Sequence, residues 1–373
     1  MPRHRSLTLK KFITAINDTD PGLVERYFLQ LIPKEKLPPY LMIMHYDYVR
    51  HLLEGLEDER LRGTIYEDLR RINDIGEKAM GTLVRTTKRF GIETNQNEKP
   101  QALAMRLFLD HPEAFDYAWA WYCYYYSTSK ISQHRIDCQG FSIDVDKLDA
   151  FKEEVRSFFS DLAKGEECRV SHYEEDNEVV ILVAHGSYIR TVARWEGREI
   201  KIESFRPAYE DILLYDKTRS LLCIKATLDK DREQYIKSFT NAILANPALA
   251  ESPNRDKVYT LRPLQDGTFS WDGNEHITSI IPLEARLKLR GSTEPVVEIR
   301  SKDLRRTFED DLEGLDLASG ELVYMKFRFT IEVEDKVEKI TFIIAPPDVT
   351  DLAKKKHADI ISAYLKENGV QLI

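Results

Sequence analysis

Cysteine is scarce in this 373-residue chain, which has four in all. So few thiols are too sparse for a disulfide framework in a chain of this length, and a cytosolic location is the default expectation. Long apolar runs are also missing, since none approaches the ~18 residues that a membrane helix needs. The basic first residues lack the apolar centre of a signal peptide. We therefore expect a folded cytosolic protein.

Several motifs of enzymes are absent as well. The sequence has no Gly-x-Gly-x-x-Gly, no phosphate-loop Gly-Lys-Ser/Thr, no His-Glu-x-x-His and no Gly-x-Ser-x-Gly. An ATP- or NAD-dependent enzyme is therefore not expected, and neither is a bound cofactor. His185 and Ser187 end an apolar segment, but two residues on one strand do not define a catalytic triad.

The charge of the chain is acidic overall, with a formal net charge of −9. Such a balance opposes nonspecific binding to phosphate backbones, although a local basic face can still bind nucleic acid. The apolar fraction of 42% and the charged fraction of 31% are typical of folded globular proteins. The length alone suggests two or three domains.

Two kinds of hydrophobic pattern divide the chain. Helical signals run from about residue 7 to residue 126, whereas residues 283–289 and 323–333 alternate apolar and polar side chains as half-buried strands do. The sequence therefore predicts an α+β multidomain fold. An all-helical N-terminal domain (1–128) is followed by two mixed, mainly antiparallel sheet-plus-helix units, one at 129–250 and one at 251–373.

An aromatic segment from Phe115 to Tyr126 lies at the end of the helical part. On a helix its rings would cover the whole circumference, which is typical of a helix that is buried on all sides. The alternative is an exposed platform on which a ligand or partner stacks. We expect the buried arrangement.

Strand alternation also predicts a basic face in the C-terminal unit. Opposite the apolar positions lie five cations, Arg286, Lys288, Arg290, Lys326 and Arg328. Such a face can bind phosphates or an acidic partner, with Tyr324 available for stacking. An ordinary solvated sheet face is the alternative, because Glu284, Glu298 and Glu332 are interleaved with the cations.

A second basic cluster lies in the central unit. Arg190 and Arg194 share one face if their strand is regular, and further cations follow at Arg198, Lys201 and Arg206. Tyr188 and Trp195 lie among them. We expect this cluster to be a second ligand surface, although three glutamates dilute its charge.

Two patterns resemble metal sites. His134-x3-Cys138 and Cys168-x3-His172 have suggestive spacing, but residues four apart on a strand are ~13 Å from each other, too far to share one zinc ion. Asp211 followed by Cys223-Ile-Lys225 imitates the layout of metal-dependent nucleases of the restriction-endonuclease type. A thiol in the acidic place is a poor ligand for Mg²⁺. We expect no metal.

These features favour a non-catalytic binding or regulatory protein that holds nucleic acid or an acidic protein partner on its basic sheet faces. The first alternative is a divergent metal-dependent nuclease centred on Asp211 and Lys225. The second is a structural subunit of a larger assembly, with the aromatic helix as an interface.

Overall fold

The structure is a computed structural model of the chain. It describes residues 8–33, 44–95, 97–126, 131–138, 140, 142–175, 177–196, 199–253, 255–289, 293–312, 314–334 and 336–372. The chain divides into two compact units, Met1–Thr128 and Ser129–Ile373. Among the described helices, none is both long and apolar enough to cross a membrane.

The described residues of the first unit form helices only. They are α1 (Leu9–Asn17), α2 (Gly22–Leu31), α3 (Tyr46–Gly55), α4 (Glu59–Lys78), α5 (Met80–Arg89), α6 (Pro100–Asp110) and α7 (Pro112–Tyr126). Each amphipathic helix turns its apolar side inward, as Phe12, Ile13 and Ile16 do on α1.

The aromatic helix α7 is buried, as its sequence predicts. It packs against α4, α5 and α6, and Trp119 and Trp121 are 2% and 0% exposed. Arginines cover the outer ring faces: the guanidinium of Arg71 lies 4.8 Å from the centre of the Trp119 ring, and that of Arg85 lies 4.6 Å from Trp121. The rings therefore form the centre of the helical unit.

The second unit mixes strands and helices. Its elements are β1 (Ile131–Arg135), α8 (Val145–Asp161), β2 (Cys168–Glu175), β3 (Glu178–Gly186), β4 (Arg190–Glu196), β5 (Glu199–Phe205), β6 (Ala208–Asp216), β7 (Leu221–Lys225), α9 (Asp229–Ser238), α10 (Arg262–Gln265), β8 (Ile277–Leu289), β9 (Val296–Arg300), α11 (Leu304–Asp310), β10 (Gly320–Val333), β11 (Lys336–Ala345), β12 (Val349–Thr350) and α12 (Ala358–Glu367). The predicted α+β fold is confirmed.

Ten strands of this unit form one antiparallel sheet. Their order is β2-β3-β6-β7-β1-β12-β11-β10-β8-β9, and β4 and β5 form a separate two-stranded sheet. The short strand β12 joins the halves, because Ile131 of β1 pairs with Thr350, which also pairs with Ile344 of β11. The sheet is therefore continuous across the expected boundary near residue 250. Whether the two halves fold as separate domains stays a prediction.

Helices α8 and α9 cover one face of the first half of the sheet. Phe151, Val155 and Phe159 of α8 pack in one apolar core with alternate residues of the strands, among them Val183 and Leu213. The odd-numbered residues of β3 and β6 thus point toward the helices. The polar side chains of His185 on β3 and Asp211 on β6 therefore lie on the face that α8 and α9 cover.

The second half is built on the alternation seen in the sequence. Phe327 and Phe329 of β10 are fully buried, and the Tyr364 ring of α12 lies 5.9 Å from that of Phe329. However, α12 begins at Ala358 rather than at Asp351, where the sequence suggests a helix cap. The Asp351 carboxylate instead accepts a hydrogen bond from the Ile343 amide at 2.8 Å, so it anchors the edge of β11.

A polar network surrounds His134 of β1, a strand that lies between β7 and β12 in the sheet. The ring of His134 contacts Asp256 at 2.7 Å and Ser132 at 2.8 Å, and Arg255 also donates to Asp256 at 2.7 Å. Burial acts to raise the pKa of Asp256, but hydrogen bonds from His134 and Arg255 hold it well below its usual range. Both ring nitrogens of His134 thus take part in hydrogen bonds with neighbouring side chains.

Candidate functional site

The described cations of the predicted basic face lie on the neighbouring strands β8 and β10, and β9 pairs with the other side of β8. Tyr324 of β10 is paired with Arg286 of β8, and Lys326 is paired with Glu284. Across the next pairing, Arg286 faces Glu298 and Glu284 faces Arg300. Basic and acidic side chains therefore alternate across the strands as well as along them.

Carboxylates neutralise most of these cations. Arg286 donates to Glu298 at 2.6 Å and its guanidinium stacks 4.6 Å above the Tyr324 ring. Lys288 lies 2.6 Å from Glu294, and Glu284 lies within 4.0 Å of Lys326. Arg328 faces Ile281 and Thr341 on the neighbouring strands, and Arg290 lies outside the described residues. This face offers little unbalanced positive charge to an anionic ligand.

A cleft of about 850 Å³ borders Lys288. Its charged lining comprises two bases and three acids, Arg262, Lys288, Asp266, Glu294 and Glu321. The net charge of the lining is thus slightly negative, which disfavours an acidic partner or phosphate in this cleft.

The two residues of the nuclease hypothesis are not brought together. Lys225 of β7 pairs with Ile212, the residue that follows Asp211 on β6. Since successive residues of a strand point to opposite faces, Asp211 points toward α8 and α9 while Lys225 points away from them. The arrangement that this hypothesis requires, a carboxylate and a lysine beside one metal ion, is therefore absent at these positions.

The second predicted cluster lies on a β-ribbon formed by β4 and β5. The ribbon is inserted between β3 and β6, with Arg190 paired to Phe205 at its base and Glu196 paired to Glu199 near its tip. Every described side chain of the two strands is exposed. Nothing among the described strands pairs with its outer edges. Both strands are therefore edge strands with respect to the described part of the sheets.

One face of the ribbon is apolar. The register places Ala193 opposite Ile202 and Trp195 opposite Ile200, and cross-strand partners share a face. Trp195 is 71% exposed and Ile202 is 76% exposed. Only Thr191 and Ser204 add polar atoms to this face, and their hydroxyls lie 3.2 Å apart. A contiguous apolar surface of this kind marks an interaction site more often than scattered exposed residues do.

The other face carries the charged residues. Arg190 donates to the Tyr209 hydroxyl at 2.7 Å, while Arg194 is paired in register with Lys201. Between residues 190 and 205 the sequence has four bases (Arg190, Arg194, Arg198, Lys201) and three acids (Glu196, Glu199, Glu203). The ribbon is therefore nearly neutral, unlike a nucleic-acid-binding arm.

The apolar face of the ribbon was not among the sequence-predicted sites. Its signal is present in the sequence, because Trp195, Ile200 and Ile202 alternate with charged residues on both sides of one turn. The same alternation is usual for strands whose apolar face is covered, so exposure becomes visible only in the structure.

In comparisons with known proteins, no protein-family model and no curated protein matches the chain significantly.

Proposed function

We propose that the protein is a binding protein that associates with a second copy of itself through the β-ribbon. The observation that carries this proposal is the ribbon's exposed apolar face, formed by Ala193, Trp195, Ile200 and Ile202, on a two-stranded sheet with two open edges. Such edges are ready templates for strand addition by another chain. This role agrees with the expectation of a binding protein or an assembly subunit.

The charge pattern of β5 supports a second copy as the occupant. In an antiparallel pair of two β5 strands, the apolar faces share one side only if the two-fold axis passes through a residue. An axis through Lys201 would oppose two lysines, and an axis through Glu203 would oppose two glutamates. An axis through Ile202 instead places each Lys201 opposite the Glu203 of the other copy. An axis through Ile200 would also place Lys201 opposite an acid, Glu199, but it would pair only residues 199–201 of β5, whereas the Ile202 axis pairs the whole strand. Charge and paired length together therefore favour the register centred on Ile202.

This register also joins the apolar faces. Ile202 would lie against its own copy, and Ile200 would lie beside Ser204 of the second copy. The product would be a four-stranded sheet with both copies of Trp195 on one side. Four strands with a common apolar face are more stable than an isolated two-stranded ribbon, which is marginal in water.

Sedimentation equilibrium of the wild type and of two single variants tests the proposal. Ile202→Glu would oppose two carboxylates at the axis and should shift the protein toward monomer. Val337→Glu is the matched control, because Val337 is also an exposed strand residue, with 61% of its surface accessible, and should leave the dimer unchanged. A wild type that stays monomeric at ~100 μM, far above the concentrations of specific association, would contradict the proposal.

Nucleic acid or an acidic protein partner on the basic faces stays a prediction with less support. The cations of the C-terminal face pair largely with glutamates, and the ribbon is nearly neutral. Phosphate contacts by such surfaces would release few counterions and give a weak salt dependence.

A further inference from the structure

A small cavity lies at the root of the β-ribbon, where β3 ends and β6 begins. Its volume is about 130 Å³, and it opens between the loop after α8, the ends of these two strands and the start of α9. Lys164 reaches it because the backbone of its loop lies directly against Gly186, where a Cβ atom would come within 2.3 Å of the Lys164 carbonyl oxygen. Only glycine permits that approach.

The floor of the cavity contains one buried ion pair, Lys164 with Asp231, and a second buried carboxylate, that of Asp211. Lys164 lies 2.9 Å from both carboxylate oxygens of Asp231. The Oδ2 atom of Asp211 accepts a hydrogen bond from the Tyr235 hydroxyl at 3.0 Å and lies 3.0 Å from Nε2 of His185. Burial, followed by the Asp211 carboxylate, raises the pKa of Tyr235, so that its hydroxyl stays a proton donor.

These buried charges are better explained by a site than by stability. Removing ions from water is expensive, and replacing a buried ion pair with apolar side chains is often neutral or stabilising. The Lys164–Asp231 pair and the Asp211 carboxylate line the same small opening. Ionisable groups buried together in a cleft are typical of ligand or catalytic sites.

Three cations contact residues that line the cavity. Arg190 donates to the Tyr209 hydroxyl at 2.7 Å, Lys230 lies 3.2 Å from the Tyr188 hydroxyl, and Arg206 donates to the Ser187 carbonyl at 2.7 Å. Within the described part of the chain, none of the three forms an ion pair with a carboxylate. These three cations therefore differ from those of the C-terminal face, which pair directly with glutamates.

The interior offers complementary contacts for a ring. Tyr188 and Tyr209 both line the cavity, and aromatic faces of this kind stack on heterocyclic bases. Asp211 uses Oδ2 for both of its described contacts, which leaves Oδ1 as an acceptor for ring or amino N–H groups. The carboxylate and the aromatic rings suit a ring that carries N–H donors, and the nearby cations suit a phosphate group.

We propose that this cavity binds a nucleoside monophosphate. The base enters between the tyrosines and donates hydrogen bonds to Asp211, while the phosphate lies on Arg190, Arg206 and Lys230. No glycine-rich loop is involved, since the phosphate is held by side chains from three separate segments. This site is independent of the proposed self-association.

Isothermal titration with the four ribonucleoside monophosphates tests the proposal, with the matching nucleosides and ribose 5-phosphate for comparison. At least one nucleotide should bind at least ~10-fold more tightly than its nucleoside and than ribose 5-phosphate, because base and phosphate each contribute. The Arg190→Gln/Lys230→Gln variant should weaken this binding by ~10-fold or more, since two charged contacts to the phosphate are lost. Lys288→Gln/Lys326→Gln, which removes two cations elsewhere, is the matched control and should bind as the wild type does.

Two further comparisons complete the test. Ile202→Glu should keep the nucleotide affinity, so that failure of self-association and failure of this proposal remain distinguishable. A 5′-phosphorylated pentanucleotide that binds more tightly than the mononucleotide would identify a strand end, rather than a free nucleotide, as the source of the ligand. No saturable binding at ~1 mM nucleotide, where even weak sites fill, would overturn the proposal. So would equal affinity for ribose 5-phosphate, or unchanged affinity in the Arg190→Gln/Lys230→Gln variant.

Discussion

Reversing one charge on β5 should break the self-association, and reversing two should restore it. In the proposed register each Lys201 lies opposite the Glu203 of the second copy, so the interface contains this pair twice. Lys201→Glu replaces two attractions by two repulsions. Each directly opposed pair contributes about 0.5 kcal/mol in either direction, which gives a loss of about 2 kcal/mol of association free energy. The dimer dissociation constant should therefore rise about 30-fold.

The doubly reversed variant Lys201→Glu/Glu203→Lys is the critical comparison. It recreates the same two opposite-charge pairs with their signs exchanged, so its dissociation constant should return to within about threefold of the wild type. Sedimentation equilibrium at low salt measures both constants, and the difference should shrink in ~1 M salt as the charges are screened. In the proposed register the single variant has like charges opposite each other and the double variant has opposite charges. Equal dissociation constants for the two variants would therefore refute this register.

Three further predictions concern stability. Trp119→Ala should lower the free energy of unfolding by about 3–5 kcal/mol, because it removes a large ring from the centre of the helical unit. Denaturant unfolding measures this loss, and an unchanged free energy of unfolding would contradict the burial of Trp119. Gly186→Ala should lower the melting temperature, since its Cβ would meet the Lys164 carbonyl, whereas Gly63→Ala, with open space around it, should raise stability by up to about 1 kcal/mol. Asp256→Asn should destabilise the protein at pH 7 but progressively less below about pH 4, because a carboxyl with a lowered folded pKa stabilises only while it is ionised; a pH-independent difference in melting temperature would contradict this sign.

Local pattern was enough to predict much of the fold. The alternation from Val323 to Val333 has the period of a strand, and β10 follows it, because side-chain direction in a strand depends only on the chain itself. The start of α12 departs from the local pattern, because Asp351 is a favourable helix-capping residue but α12 begins at Ala358. The Asp351 carboxylate there binds the amide of Ile343 in another element, a tertiary contact that overrides the local capping signal.

The candidate sites depend on register, which the sequence does not contain. Glu284 lies among Arg286, Lys326 and Arg300 because three strands align at one level, and this alignment neutralises a face that looks basic along each strand. Asp211 and Lys225 fail to meet for the same reason, since pairing Lys225 with Ile212 sends the two side chains to opposite faces.

The cavity at the ribbon root was equally hidden. Lys164, His185, Asp211, Asp231 and Tyr235 come from four separate segments, and only Asp231 and Tyr235, four residues apart on α9, are linked by their spacing along the chain. They meet only because α8, α9 and the strands β3 and β6 share one core. Sites of this kind are found from burial and hydrogen bonding rather than from motifs.

Cysteine crosslinking at the proposed two-fold axis tests the central claim most directly. In a background with the partly exposed Cys138 and Cys168 changed to serine, Ile202→Cys should form an intermolecular disulfide under mild oxidation, because opposed residues lie about 4.5–5.5 Å apart between Cα atoms. Ser204→Cys should not, because its two copies would be separated by about 13 Å along the strands. A covalent dimer with cysteine at 202 and none with cysteine at 204 is the predicted result. Equal crosslinking at both positions, or none at 202, would contradict association of two copies through β5.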